Sequence, residues 1–96
     1  MDALENGPLL CYLEEDPIYK GDLLVRSIEN PSLEKPILFG CLLTGATVTL
    51  GSPWIHYVSL SRSRRFYDKA PLQWFIDKRY RKPTEAEQLE VLSWML

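Results

Sequence analysis

Short hydrophobic runs, some continuous and some alternating with polar residues, dominate the first two thirds of the chain and predict strands. The stretches concerned are residues 22–28, 37–43, 46–50 and 54–60. Turns are expected at 44–45 and at 51–53, where Gly and Pro interrupt the pattern. Residues 8–15 carry a proline at their start and precede Pro17, which predicts a short helix that ends there.

The last third of the chain changes to helical periodicity. A helix is predicted over residues 71–82, between Pro71 at its first position and Pro83 after its end. Its apolar face is expected to comprise Leu72, Phe75, Ile76 and Tyr80. A capping box formed by Thr84 and Glu87 predicts a second helix. Its apolar stripe is expected to comprise Leu89, Leu92 and Leu96, flanked by Val91 and Met95.

The order of these elements predicts one α+β domain over residues 1–96. We expect a small antiparallel sheet of three to four strands, packed with one short N-terminal and two C-terminal helices. The length of 96 residues fits a single domain, and 46% hydrophobic content excludes a wholly disordered chain.

The charges are segregated along the chain, although the net charge is only −2. Residues 1–53 carry −5, residues 54–82 carry +6 and residues 83–96 carry −3. The basic residues of the middle segment are Arg62, Arg64, Arg65, Lys69, Lys78, Arg79, Arg81 and Lys82. Aromatic residues lie among them, at Phe66, Tyr67, Trp74 and Tyr80.

This basic aromatic segment predicts contact with an acidic partner. Arg and Lys bind phosphates and aromatic rings stack on bases, which favours RNA or a nucleoprotein. Anionic lipid headgroups would suit the same residues and would give a peripheral membrane contact. The alternative is intramolecular, in which the basic segment packs against the acidic N-terminal half of the same chain.

Two tryptophans are predicted to form a protein interface. On the predicted helices Trp74 and Trp94 lie opposite the apolar stripes, and Trp is enriched at interface centres. Met95 and Leu96 directly follow Trp94, and the three residues together form an apolar stretch that is also expected to belong to the interface. The alternative is that both helices are packed on two sides within the domain.

Motifs for catalysis and metal binding are missing from the sequence. It has no G-x-S-x-G, P-loop, Rossmann glycine pattern or H-E-x-x-H, and its one histidine, His56, is expected to be structural. We therefore expect a protein that is not an enzyme, with no cofactor and no metal. Cys11 and Cys41 lie 30 positions apart and are expected to be buried reduced thiols.

The N-terminal residues are acidic and carry no secretory signal pattern, which predicts an intracellular protein in the cytoplasm, the nucleus or a virion. The longest apolar run has seven residues, whereas a spanning helix needs about 20. We therefore expect no transmembrane segment.

The central stretch resembles the middle of rhabdovirus matrix proteins, especially those of the lyssavirus type. Residues 40–55, GCLLTGATVTLGSPWI, fit the spacing G-x-x-L-[ST]-G-A-x-V-x-x-G-x-x-W-[VI]. Residues 16–21 are similar to the family's D-x-I-Y-x-G. Arg64–Arg65, Gln73–Trp74 and residues 83–90 follow in the family's order, so that the resemblance covers residues 16–90.

The resemblance implies a non-enzymatic viral structural protein that self-associates, lines the inner face of an envelope and condenses a nucleocapsid. It also implies an α+β fold with a sheet packed on helices. The sequence departs from the family in its acidic N-terminus and in having no P-P-x-Y motif. Membrane binding through an arm and budding through host factors are therefore not implied here.

Three hypotheses of function follow. The first is a matrix-like structural or interaction protein that self-associates and contacts a nucleocapsid or an anionic membrane through the basic aromatic segment. The second is a small nucleic-acid-binding regulatory protein that uses the same basic residues on phosphates. The third is a protein inhibitor of a host or bacterial enzyme, with the acidic N-terminal half mimicking phosphate.

Overall fold

The computed structural model describes residues 8–95 and shows two antiparallel sheets and two helices, which confirms the α+β fold class. A hairpin of β1 (Leu9–Leu13) and β2 (Asp16–Tyr19) precedes a four-stranded sheet. The four strands follow in chain order: β3 (Leu23–Ile28), β4 (Ile37–Thr49), β5 (Ser52–Leu60) and β6 (Arg65–Pro71). Helix α1 spans Leu72–Asp77, and helix α2 spans Glu85–Ser93.

The N-terminal helix predicted over residues 8–15 is wrong, because this segment forms β1 and the turn into β2. Glu14 takes a φ of 56°, which reverses the chain so that Leu13 pairs with Asp16. The hairpin places Leu13 and Ile18 in the main core, where they are 6% and 1% exposed. An eight-residue helix has little stability of its own, so this tertiary burial decides the conformation.

Strand β4 is one 13-residue strand where the sequence predicts two strands and a turn at 44–45. The ladder with β5 shifts register between Leu43 and Gly45, so this position is a β-bulge within a continuing strand. The chain instead reverses at Leu50 and Gly51, with φ of 53° and 80°. Two successive positive φ angles are typical of the tight turn that joins twisted antiparallel strands, and the predicted role of Gly51 in a hairpin is correct.

Other elements pack against both faces of the four-stranded sheet. One face, called the α1 face, carries Leu24, Cys41, Leu43, Ile55, Tyr57 and Ala70, which pack with Phe75 of α1, Tyr80 and the β1–β2 hairpin. The opposite face, called the α2 face, carries Val25 and Leu60 around Gly40, and Val91 of α2 packs there. Each strand buries alternate residues on opposite faces, so the two helices must lie on opposite sides.

The helix predicted over residues 71–82 is shorter than expected and ends at Asp77. Arg79 takes a φ of 61°, and the following residues leave the helix direction. Arg81 then exchanges backbone hydrogen bonds of 2.8 and 2.9 Å with Val25, at the outer edge of β3. Covering this edge and burying Tyr80 against the core fix the end of α1, and neither is visible in local sequence.

The capping box at the start of α2 is confirmed. The Thr84 hydroxyl accepts from the Glu87 amide at 3.2 Å, and the Glu87 carboxylate accepts from the Thr84 amide at 2.9 Å. The predicted apolar stripe is wrong, because Leu89 and Leu92 are 64% and 38% exposed while Val91 is fully buried. In the part of the chain that is described, neither helix is long and apolar enough to span a membrane.

Candidate functional site

The eight basic residues proposed from sequence do not form one patch. Arg62 and Arg64 lie in the turn between β5 and β6, and Arg65 and Lys69 lie on β6 itself. The other four follow α1, and the backbone of Arg81 joins the outer edge of β3. Because β3 and β6 are opposite edges and strands lie about 4.8 Å apart, roughly 15 Å of sheet separates Arg81 from β6.

Strand β6 is an edge strand in a stretch for which the sequence predicts no element. Five of its seven residues are exposed, and Ala70 alone is buried. An edge strand that faces solvent on both sides has no hydrophobic alternation, which explains why residues 65–71 give no strand signal. The strand nevertheless fixes Arg65 directly after the turn that holds Arg62 and Arg64, and Lys69 four residues further along.

Arg81 is already paired within the molecule. Its guanidinium donates to both oxygens of Glu87, with Nη1–Oε1 at 2.7 Å and Nη2–Oε2 at 2.8 Å. These hydrogen bonds lower the pKa of the Glu87 carboxyl to about 2, so the pair is ionised at neutral pH. Among residues 8–95 this is the one salt bridge, and its acid comes from α2 and not from the acidic N-terminal half.

Both tryptophans proposed as interface residues are partly buried against other residues of the domain. The Trp74 ring stacks on Tyr57 and Tyr80, at centroid distances of 5.8 and 5.4 Å, and meets Phe75 edge-on at 5.0 Å. Trp74 is partly buried, and the side of α1 that the sequence predicts to be a contact surface packs against Tyr57 of β5 and Tyr80. Stacked and edge-on pairs at these distances contribute about 0.5–1.5 kcal/mol each beyond area burial.

Trp94 and Met95 are partly buried against the cluster of Val25, Leu60 and Val91. The side of α2 that the sequence assigned to solvent therefore faces the sheet, and the predicted apolar stripe faces out. Leu96, the fourth proposed interface residue, lies outside the described residues. An interface role for these residues stays a prediction and would use only their remaining exposed edges.

A cleft of about 820 Å³ lies at the end of the sheet near the β5–β6 turn. Its walls come from residues 33–39, residues 61–63 and the helix α2. Trp94 and Arg62 both line it, so the fold brings one proposed interface residue and one proposed basic residue together. Glu34, Lys35 and Glu90 also line it, which leaves the cleft without a dominant charge.

Away from α2, the α2 face carries aromatic and basic residues whose proximity is not visible in the sequence. This part of the face is called the open half of the α2 face. The β5–β6 register pairs His56 with Lys69 and Val58 with Tyr67, and paired residues share a face. Tyr67 is 82% exposed, and Trp54 and His56 are half-buried. The alternation of residues along β5 is enough to predict that Trp54 and His56 share one face. The position of Tyr67 on that face depends on the pairing of β6 with β5, which the sequence does not predict.

His56 has a polar neighbour on this face. Its Nε2 lies 3.1 Å from the hydroxyl of Thr47, a hydrogen bond whose direction depends on the imidazole tautomer. Within residues 8–95 no three His, Cys, Asp or Glu side chains are grouped as metal ligands.

The two cysteines are free, and the predicted burial holds fully only for Cys41. Burial raises the pKa of the Cys41 thiol to about 12, which keeps it protonated at neutral pH. Cys11 is partly exposed, and its pKa is raised by the same cause. Neither thiol is in the state of a reactive thiolate.

The stretch that resembles rhabdovirus matrix proteins forms most of β4, the tight turn and the start of β5. Gly40 faces α2, where an added Cβ would lie 2.9 Å from a Val91 methyl. Gly45 directly follows the β-bulge, and Gly51 takes a positive φ in the turn. Gly40 and Gly51 therefore have structural reasons in this fold, independent of any shared function.

Comparison with protein-family models gives no match to this chain. Comparison with curated proteins and with solved structures likewise gives no significant match.

Proposed function

We propose that this protein is a non-enzymatic interaction protein that binds an acidic partner through one edge of its sheet. The binding residues are Arg62, Arg64, Arg65 and Lys69, here called the basic edge. The observation that supports the proposal is the exposure of all four side chains on β6 and its preceding turn, beside the exposed ring of Tyr67.

The charge of the basic edge is not neutralised by the strands around it. Asp68 is the one acidic residue in the four strands β3–β6. It pairs with Tyr57 on the α1 face, where its charge helps to raise the pKa of the Tyr57 hydroxyl to about 12. None of the four basic residues forms an ion pair with another described residue. A phosphate-rich or carboxylate-rich partner would supply the missing counter-charge.

Two variants with the same change in net charge test which group of basic residues binds. We expect Arg62→Gln/Arg64→Gln/Arg65→Gln to weaken binding to heparin or single-stranded RNA strongly. If each arginine meets one phosphate, the slope of log affinity against log salt should fall by roughly 2 on single strands. The matched control is Lys78→Gln/Arg79→Gln/Lys82→Gln in the segment after α1, which should keep most of the affinity and slope. Equal losses in both variants, or no binding by the parent protein at low salt, would contradict the proposal.

Self-association of the matrix type is the second candidate function, and the outer side of α2 favours it. Leu89 and Leu92 are separated by one helical turn, so they lie side by side, and both are exposed. Together with the resemblance of residues 16–90, this apolar strip supports assembly of like chains.

Light scattering across protein concentration, at low and high salt, tests this assembly. We expect a molar mass that rises with concentration and survives high salt, because apolar contact is not screened. Leu89→Lys/Leu92→Lys should return the protein to a monomer, whereas Gln88→Lys on the same helix should not. A parent protein that is monomeric throughout would exclude the matrix-type assembly and leave the acidic-partner proposal standing.

A further inference from the structure

Four residues are placed together on the open half of the α2 face by the β5–β6 ladder. Lys69 is directly opposite His56, and Tyr67 is directly opposite Val58, which makes Tyr67 a diagonal neighbour of His56. Diagonal neighbours in an antiparallel pair lie about 7–8 Å apart. Trp54 lies two residues from His56 on the same strand, so it points to the same side at a similar spacing.

This half of the face is left open by α2. The helix packs over the row that contains Val25, Gly40 and Leu60, through the side chain of Val91. In the next row Leu42 and Val58 are half-buried and pack at the edge of this cluster, whereas Tyr67 is exposed. Further along the same face Trp54 and His56 are half-buried, and Lys69 and Thr47 are exposed. A tyrosine that is 82% exposed on a strand contributes little to the core, so its ring is free to stack on a ligand.

The charged residues that the strands place on this side have one sign. Arg65 and Lys69 stand two residues to either side of Tyr67 and therefore share its face. The only acid of the four strands, Asp68, points to the α1 face. A ring between two cations suits a ligand that offers flat π-faces joined by negative charges, which is the chemistry of single-stranded nucleic acid.

We propose that the open half of the α2 face binds single-stranded RNA or DNA, with a base stacked on Tyr67 and phosphates on Arg65 and Lys69. His56 and Trp54 extend the same surface for neighbouring nucleotides. This inference rests on the proposed function, because it names the acidic partner of the basic edge. It adds a requirement that charge alone does not make, namely an aromatic ring at position 67.

The test compares two neighbouring aromatic residues on opposite faces of β6. Tyr67→Ala is expected to weaken binding of a fluorescent oligouridylate of about 12 nucleotides, a length within known single-strand site sizes. The expected loss is about 5- to 150-fold in Kd, the fold-change that corresponds to losing the stacking of one base. Phe66→Ala changes the adjacent ring on the α1 face, is equally free of charge, and should leave Kd unchanged. Tyr67→Trp should retain the affinity, because indole stacks as well as phenol.

Heparin separates failure of this inference from failure of the proposed function. It carries negative charge without bases, so Tyr67→Ala should bind heparin as the parent protein does. If the parent binds heparin and the oligonucleotide but Tyr67→Ala weakens neither, stacking is wrong and the basic edge stands. If the parent binds neither at low salt, both proposals are wrong. If it binds heparin and anionic phosphatidylserine vesicles but not the oligonucleotide, the partner is another polyanion and this inference is overturned.

Discussion

Phe75→Ala is expected to lower the free energy of unfolding by about 3–5 kcal/mol, the usual cost of deleting a fully buried phenyl ring. Phe75 is 1% exposed and is the buried residue of α1. Its ring meets Trp74, Tyr57 and Tyr80 at centroid distances of 5.0, 5.3 and 5.5 Å. Removing it leaves a cavity under α1 and removes the central member of the aromatic cluster.

Urea denaturation followed by circular dichroism measures this loss. A domain of this size has a total stability of about 5–15 kcal/mol, so the variant could be partly unfolded at room temperature. Phe75→Leu fills most of the space and should cost clearly less. Phe66→Ala is the matched control, because Phe66 is 49% exposed on β6 and should change stability little. A loss below about 1 kcal/mol for Phe75→Ala would show that this cluster does not hold α1 on the sheet.

Gly40→Val is expected to lower the free energy of unfolding by about 1–3 kcal/mol through overpacking between β4 and α2. An added Cβ would lie 2.9 Å from Cγ1 of Val91 and 3.5 Å from Cδ1 of Leu23. Both neighbours are themselves packed around Val25 and Leu60, so α2 must shift away from the sheet. Thermal and urea unfolding of the variant measure the effect.

Two controls identify the contact responsible. Gly45→Val introduces the same side chain on the same strand, where a Cβ meets nothing within 4 Å, and should be tolerated far better. Val91→Ala in the Gly40→Val background returns space at the contact, so the double variant should recover part of the loss. If Gly40→Val and Gly45→Val lower the free energy of unfolding equally, the close approach of α2 to Gly40 is not the cause of the loss.

The candidate site was only partly predictable from the sequence. The eight basic residues are visible as a charge segregation. A linear segment does not show that four of them lie on β6 and its preceding turn while Arg81 joins the opposite edge at β3. Arg81 illustrates the difference, because its ion pair with Glu87 depends on the way the chain turns back after α1. The grouping of Tyr67 with His56 and Lys69 depends on the β5–β6 register, which no local pattern encodes.

The two tryptophans show a second limit. Helical spacing correctly separates Trp94 from Leu89 and Leu92 onto opposite sides of α2, yet it cannot say which side faces the sheet. Val91 packs in the space above Gly40. This contact turns Trp94 toward the sheet, where it is partly buried, and leaves Leu89 and Leu92 exposed. When a helix carries large apolar residues on both sides, the surface that it packs against therefore decides which side is buried.

By itself, the sequence determined the features whose signals lie within a few residues. These are the strands that became β3 and β5, the hairpin at Gly51, the capping box at Thr84 and the α+β class, since alternation, turn geometry and capping are local interactions. The tertiary structure decided the rest: β1 in place of a helix, the continuation of β4 through a bulge, the edge strand β6 and the early end of α1. Each of these depends on burial against, or backbone pairing with, residues distant in the chain, and such contacts outweigh the small differences in local propensity.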